Sequence, residues 1–244
     1  MLEEKTMNRP RGAIPSPRHR LAGARPHVIT APAPPQFIMI PSQLSMWLND
    51  TDGDCTVAEE AFAKACCRTG GPSGPEIFIT DQTVQTWGTA NNFMNGAVLI
   101  DVIDAMQTNG FVQDGYVYCD GEPVSVDWTD AGVLQNAIAT TGPVKIGLAA
   151  DQLENVVGES NGWFGTGFKT DDNFDHCVSL AGFGSIDYLA TALGVPVPAG
   201  IDGSAAGYAL FTWNTIGIID VPSFLAITGE AWGRSPATVI RVAS

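Results

Sequence analysis

The order of two periodicities limits what this chain can fold into. Between residues 56 and 139 apolar side chains recur at helical spacing, and from residue 144 they alternate as in strands. Val57, Ala58, Ala61, Phe62, Ala65 and Cys66 line one face of a 3.6-residue period. Thr56, with Glu59 three residues on, reads as a capping box for that helix. Further helices are expected from Asp81 to Trp87 and from Ala97 to Thr108, the latter stopped by Asn109-Gly110. A short helix capped by Asp127 or Thr129 should run to Ala139 and end at Gly142-Pro143. Val144, Ile146 and Leu148 then alternate as a strand, and more strands are expected at 176–183, 207–213 and 237–242. Helices first and strands second imply an α+β fold with segregated layers and a cleft between them. The helical lobe would span about 50–125 and the β-rich lobe about 126–244.

Charge separates the N-terminus from the rest. Residues 1–35 hold six of the twelve Lys and Arg and seven of the sixteen prolines, with a balance of +4. The remainder carries −18, within a net charge of −14. A Pro-rich basic segment without an apolar period cannot bury enough surface to offset its ordering entropy. Residues 1–36 are therefore expected to form an arm outside the fold, with 37–244 as the folded body. Two readings of the arm stand side by side: it docks on an acidic surface, that of a neighbouring copy or of a protein partner, or it is an unstructured solvated tail. A body this acidic argues against nucleic-acid binding, which needs Lys and Arg against phosphate. There is no run of ~18 apolar residues to enter a membrane, and no apolar leader follows Met1.

Three residues stand out chemically. Cys55 opens the best-signalled helix, where backbone N–H groups favour a thiolate. Cys66 and Cys67 read instead as small buried hydrophobes. The five cysteines, at 55, 66, 67, 119 and 177, are odd in number and lack zinc-type spacing, which implies reduced thiols and a cytoplasmic or virion-associated setting. Of the three histidines, His19 and His27 fall in the arm, leaving His176 as the one available to a nucleophile. Asn214 ends the strand Gly207–Trp213 and could orient that imidazole, though taken singly it reads as a turn residue. Asp50, Asp52 and Asp54 suggest a calcium loop, but Gly53 and Ala61 stand at the wrong positions, so no metal is expected. Gly165-Thr166-Gly167 is too short for a dinucleotide site, and no cofactor is expected.

Cys at a helix start, His in a strand and Asn at a strand end resemble, in that order, the papain-like cysteine peptidases. Asp175-His176-Cys177-Val178-Ser179-Leu180-Ala181-Gly182-Phe183-Gly184 is similar to the family's (D/N)-H-A-V-x-x-x-G-Y-G strand. Trp213-Asn214-Thr215-Ile216-Gly217 is similar to its K-N-S-W-G, and Leu134–Val144 to its helix leading into a G-P-V strand. Asn49, six residues before Cys55, stands where the family has the Gln of Q-G-x-C-G-S-C. His176 and Asn214 lie 121 and 159 residues after Cys55, near the ~130–150 of the family. The resemblance covers roughly residues 40–244. It implies a two-lobe fold and hydrolysis of peptide bonds in a peptide or protein substrate through Cys55, His176 and Asn214. Asn49 and the Cys55 N–H would serve the oxyanion, and Trp163 and Phe164 would line the substrate cleft.

The sequence departs from the family at several points. Asn49 is one methylene shorter than Gln, Asp54 places a carboxyl beside the thiol, Thr56 replaces a Trp, and Ile216 replaces the Trp that covers the His–Asn bond. These changes leave a second expectation standing: a weak or inactive papain-like structural protein of a virion or other assembly, docked through its basic arm.

Overall fold

The computed structural model describes residues 9–69, 73–236 and 238–243. The chain begins with a short strand β1 (Ala13–Ile14), a six-residue helix α1 (Arg18–Gly23) and strand β2 (Phe37–Ile38). The first lobe follows, with α2 (Cys55–Ala65), α3 (Asp81–Asn91), β3 (Ala97–Val98), α4 (Leu99–Asn109) and a hairpin of β4 (Phe111–Gln113) and β5 (Tyr116–Cys119). The second lobe runs through β6 (Glu122–Ser125), α5 (Ala131–Thr141), β7 (Val144–Leu148), α6 (Asp151–Glu154), β8 (Phe164–Gly165) and β9 (His176–Ser185). It is completed by α7 (Ile186–Leu193), β10 (Ala206–Thr212), β11 (Thr215–Asp220), α8 (Val221–Ile227) and β12 (Thr228–Ser235), after which β13 (Val239–Val242) returns to the first lobe and pairs with β5. The architecture is α+β in two lobes, with helices gathered in the first and the main sheet in the second.

That sheet is ordered β6-β12-β7-β9-β10-β11-β8, with β2 added alongside β9. β9 is its centre, antiparallel to both β7 and β10. Its first eight residues are buried, as suits a strand covered on both faces. The caps follow local chemistry: Thr80 accepts the Thr83 N–H at the start of α3, and Asp130 accepts from Gly132 and Val133 at the start of α5. One apolar core joins α2, α3 and α4 to the near face of the sheet, where Phe62 stacks on Phe211 with centroids 3.9 Å apart. Burying a ring of that size contributes roughly 2–3 kcal/mol. A second core lies under α5 and α8.

Three expectations change, the first at α5, which Asp130 caps in place of Asp127 or Thr129. The capping box at Thr56 does not form: Asp54 is the N-cap of α2, and Thr56 and Glu59 lie inside the helix. All eleven residues of α2 are buried, charged ones included. Its Glu59, Glu60 and Lys64 meet Lys145 of β7, Arg234 of β12 and Asp120 in a buried ionic network of three carboxylates and three cations. Glu59 also accepts from the Ser179 hydroxyl of β9. Periodicity marks one apolar face and leaves the charged face to solvent, whereas sheet and strand ends cover both.

The N-terminal segment, from Arg9 on, is packed against the body. β1 pairs in parallel with β3, Pro26 bridges to Ser125, and β2 adds to β9. Ser16 is buried, its N–H donating to Glu230 and its hydroxyl accepting from Ile100. His27 Nε2 meets the Asn136 carboxamide at 2.8 Å. Arg20 pairs with Asp101 and Asp104, and Arg25 with Glu122. The acidic surface that the arm meets is its own body. What secures it is backbone pairing and ion pairs, neither of which an apolar period reports. Residues 1–8 lie outside the described part.

Candidate active site

α2 delivers Cys55 to the start of β9. The backbone N–H groups of Cys177, the residue after His176, and of Gly12 lie near enough to the Cys55 sulfur to favour its thiolate. Cys55 and His176 are 2% and 1% exposed. The sulfur and the imidazole-bearing residue thus meet where helix tip and strand start touch. His176 Nε2 lies 2.8 Å from Thr212 Oγ1, while Nδ1 is buried without a hydrogen-bond partner. With Nε2–H donating to the hydroxyl, Nδ1 keeps its lone pair, the tautomer a base beside a thiol requires.

Asn214 is elsewhere. Trp213 and Asn214 have φ of 42° and 63° and form the two-residue turn between β10 and β11, with Thr212 paired to Thr215. A turn with positive φ at both central residues favours Asn, so the residue is spent on the hairpin and its side chain is exposed. The hydroxyl that meets the His176 ring belongs to Thr212, the last residue of β10. Trp213 stacks on the His176 ring with centroids 4.2 Å apart and planes within 16°, taking the covering place that Ile216 leaves vacant. The signal that could have found both is the hairpin itself, Thr-Trp-Asn-Thr, whose Asn reads as a turn residue.

Asn49 is buried, and its amide is engaged. Nδ2 donates to the carbonyl of Pro10 at 3.2 Å and of Asp52 at 3.1 Å. Trp163 and Phe164 do not line the cleft beside Cys55. Trp163 is buried in the second core, its Nε1 donating to Thr215 Oγ1 at 3.0 Å, and its ring fills the space over Gly217, where an added Cβ would lie 2.0 Å from it. Phe164 opens β8 and packs toward the first core. The aromatics belong to sheet edge packing, a use that composition could not separate from ligand contact.

Residues 9–14 lie over the pair, with Gly12 near the Cys55 sulfur, Ala13 in one cluster with Cys55, and the Arg11 charge near His176. Gly12 lies so near Gly53 that a Cβ on it would stand 1.7 Å from the Gly53 carbonyl oxygen and 3.0 Å from the Cα of Gly96. The Gly12 carbonyl accepts from Ala97 N–H, and Ala13 N–H donates to the Asp175 carbonyl. Arg11 pairs with Asp151, Glu154 and Asp175, and Arg9 lies over the Trp213 ring. Burial pushes the Cys55 thiol up to about 12, beyond what the two N–H donors recover. Burial, with the charge of Arg11, pushes His176 down to about 3. Thiol and imidazole are both neutral in this arrangement.

Asp54 is buried with neither carboxyl oxygen hydrogen-bonded. Burial, with Asp52 and Asp50 adding like charge, pushes it up to about 8. At neutral pH it is protonated and places no anion beside the thiol. The unfolded chain releases this proton near 3.8 while the folded chain keeps it, so the group costs folding stability as pH climbs from about 4 to about 8. Asp54→Asn is expected to match the parent at pH 4 and to exceed it by roughly 2–5 kcal/mol at pH 8. Urea unfolding at the two pH values measures this; equal stability at pH 8 contradicts it.

Among the described residues no three His, Cys, Asp or Glu side chains gather as a metal site, and no helix is long and apolar enough to cross a membrane. No protein-family model and no curated protein matches the chain in sequence. Solved structures do match in fold. Procathepsin L2 proteinase from the larval midgut of Tenebrio molitor superposes with a TM-score of 0.62 at 16% identity, over 96% of this chain and 80% of that one. Xylellain, a cysteine protease from Xylella fastidiosa, gives 0.60 at 13%, over 96% and 98%. Digestive procathepsin L 3 of Tenebrio molitor gives 0.59 at 12%, over 94% and 76%. The fold is that of the papain-like cysteine proteases.

Proposed function

We propose that this chain is a cysteine peptidase in which Cys55 is the nucleophile, His176 the general base and acid, and Thr212 the residue that positions the imidazole. What supports this reading is that the residue after His176 turns its N–H toward the Cys55 sulfur, while the buried Nδ1 of His176 has no hydrogen-bond partner and keeps its lone pair for a proton. His176 would take the thiol proton as sulfur attacks a peptide carbonyl, then give it to the leaving amine. Water would release the acyl group. The Cys55 N–H and the Asn49 amide would donate to the oxyanion, a role worth ~3–4 kcal/mol per donor in acyl transfer. That Asn49 already holds a main-chain carbonyl, that of Pro10, fits the role.

With residues 9–14 seated the pair is neutral and covered, so the segment must shift before substrate enters. Its departure removes the Arg11 charge from His176 and admits water, and both changes favour the thiolate–imidazolium pair.

A peptidyl chloromethyl ketone followed by tandem mass spectrometry tests the assignment. The adduct is expected on Cys55 and is expected to vanish in His176→Ala. Replacing Arg9 and Arg11 with alanine should speed labelling. Equal labelling in His176→Ala, or adducts spread over Cys66, Cys67 and Cys119 in place of Cys55, overturns the reading.

A further inference from the structure

We propose that the cleft wall beside His176 is an arginine subsite, built from Asp151, Glu154 and Asp175 with two main-chain carbonyls and the Trp213 face, and that it recognises Arg-X-Arg segments of peptides or proteins entering the cleft. The subsite deepens the peptidase reading by naming a substrate class and rests on that reading only for the chemical step after binding.

The structure shows the subsite occupied by the chain's own Arg9-Pro10-Arg11. Arg11 Nη2 meets Glu154 Oε2 at 2.6 Å and its Nε meets Oε1 at 3.3 Å, a fork-on-fork contact. Its Nη1 reaches Asp151 at 2.5 Å and Asp175 at 2.8 Å. Arg9 donates to the carbonyls of Glu154 at 2.8 Å and Val157 at 2.6 Å, and its guanidinium lies 5.3 Å from the Trp213 ring centroid. Planar, forked donors suit these acceptors and the indole face, and an ammonium does not reproduce that pattern.

The acceptors are held by the body. Asp175 accepts from the Ala150 N–H at 3.3 Å and from Asn173 Nδ2 at 3.3 Å. Helix α6 fixes Asp151 and Glu154, its Glu154 N–H donating to the Ala150 carbonyl. Among the described residues Arg11 is the only salt-bridge partner of all three carboxylates. When the segment leaves, three uncompensated carboxylates remain. They adjoin the reacting groups: Asp175 precedes His176 in sequence, and Trp213 stacks on its ring.

Binding is tested in the full chain carrying Cys55→Ala with Arg9→Ala and Arg11→Ala. The probe is a fluorescein-labelled acetyl-Arg-Pro-Arg-Gly-Ala amide, followed by anisotropy. It is expected to bind at least about tenfold more tightly than the Ala-Pro-Ala counterpart, and more tightly than Lys-Pro-Lys. Adding Asp151→Asn and Glu154→Gln should weaken it about tenfold or more. Equal affinity for the alanine peptide, or no response to the carboxylate changes, overturns the proposal and leaves the arginines as an internal staple. Should the arm variant fail to fold, hydrogen exchange on the chain with native Arg9, Arg11 and Cys55 decides. There, unlabelled acetyl-Arg-Pro-Arg-Gly-Ala amide in excess, and not its Ala-Pro-Ala counterpart, should speed exchange at residues 9 and 11–14 about tenfold or more by taking the wall when the segment opens, and unchanged exchange overturns the proposal. Cys55 is absent from the binding assay, so a failure of Cys55 labelling leaves this result untouched, and the reverse also holds.

Discussion

Arg234→Ala is expected to cost 3–5 kcal/mol of folding stability, about what breaking a buried ion pair costs when one partner is removed. Against the 5–15 kcal/mol typical of a domain this is a large share, and for a chain of this length it lowers Tm by roughly 6–20 °C. The guanidinium is fully buried and pairs with Glu59, Glu60 and Asp120, while also donating to the Pro143 carbonyl at 3.1 Å. Its loss leaves one more carboxylate than cations among α2, β7 and β12, with no water to take up the charge. Thermal unfolding checks the value, and a melting point within 2–3 °C of the parent would show that the network relaxes or is hydrated. Arg234→Ala combined with Asp120→Asn should recover part of the loss, because the second change removes the surplus charge.

Thr212→Val keeps the shape of the side chain and removes the oxygen that His176 Nε2 meets at 2.8 Å. The ring then has a buried nitrogen without a partner on either edge, and its tautomer is no longer fixed. Cys55 labelling is expected to slow by roughly 10–100-fold, a cost of about 1.4–2.7 kcal/mol in positioning the base. Thr212→Ser should restore most of the rate, since it returns the hydroxyl without the methyl. Asn214→Ala should stay within about threefold of the parent, because the residue serves the turn and does not reach the ring. A pH profile separates positioning from mere loosening: in Thr212→Val the rise in labelling tied to His176 should move, and in Asn214→Ala it should not. If Asn214→Ala is the slower of the two, the roles are reversed.

The fold was legible because its main signals are local. Alternation at Val144, Ile146 and Leu148 and the start of α2 at Cys55 follow from periodicity and a polar N-terminal residue, and those elements formed within a residue or two of expectation. The pairing of Cys55 with the start of β9 was legible through the order of motifs. That Thr212 and not Asn214 meets the His176 ring was not legible, since the two lie two residues apart and only the hairpin register decides which faces it. The six-ion network was also hidden. Glu59, Glu60 and Lys64 on a helix read as a solvated face until the strands that cover them are in place. The arm failed for a related reason: prolines and arginines predict no core of their own, yet Arg9, Arg11, Arg20 and Arg25 all find acceptors on the body.

Gly12 lies against Gly53 and Gly96 with only hydrogens between the backbones. A latch fastened by bare main chain cannot be loosened by degrees, because the smallest side chain already collides with a carbonyl. Mutation can therefore keep this fastening or destroy it, but not retune it. Gradual adjustment of how readily the cleft opens falls to the flanking charges, whose grip depends on salt and acidity in a way that the glycine contact does not.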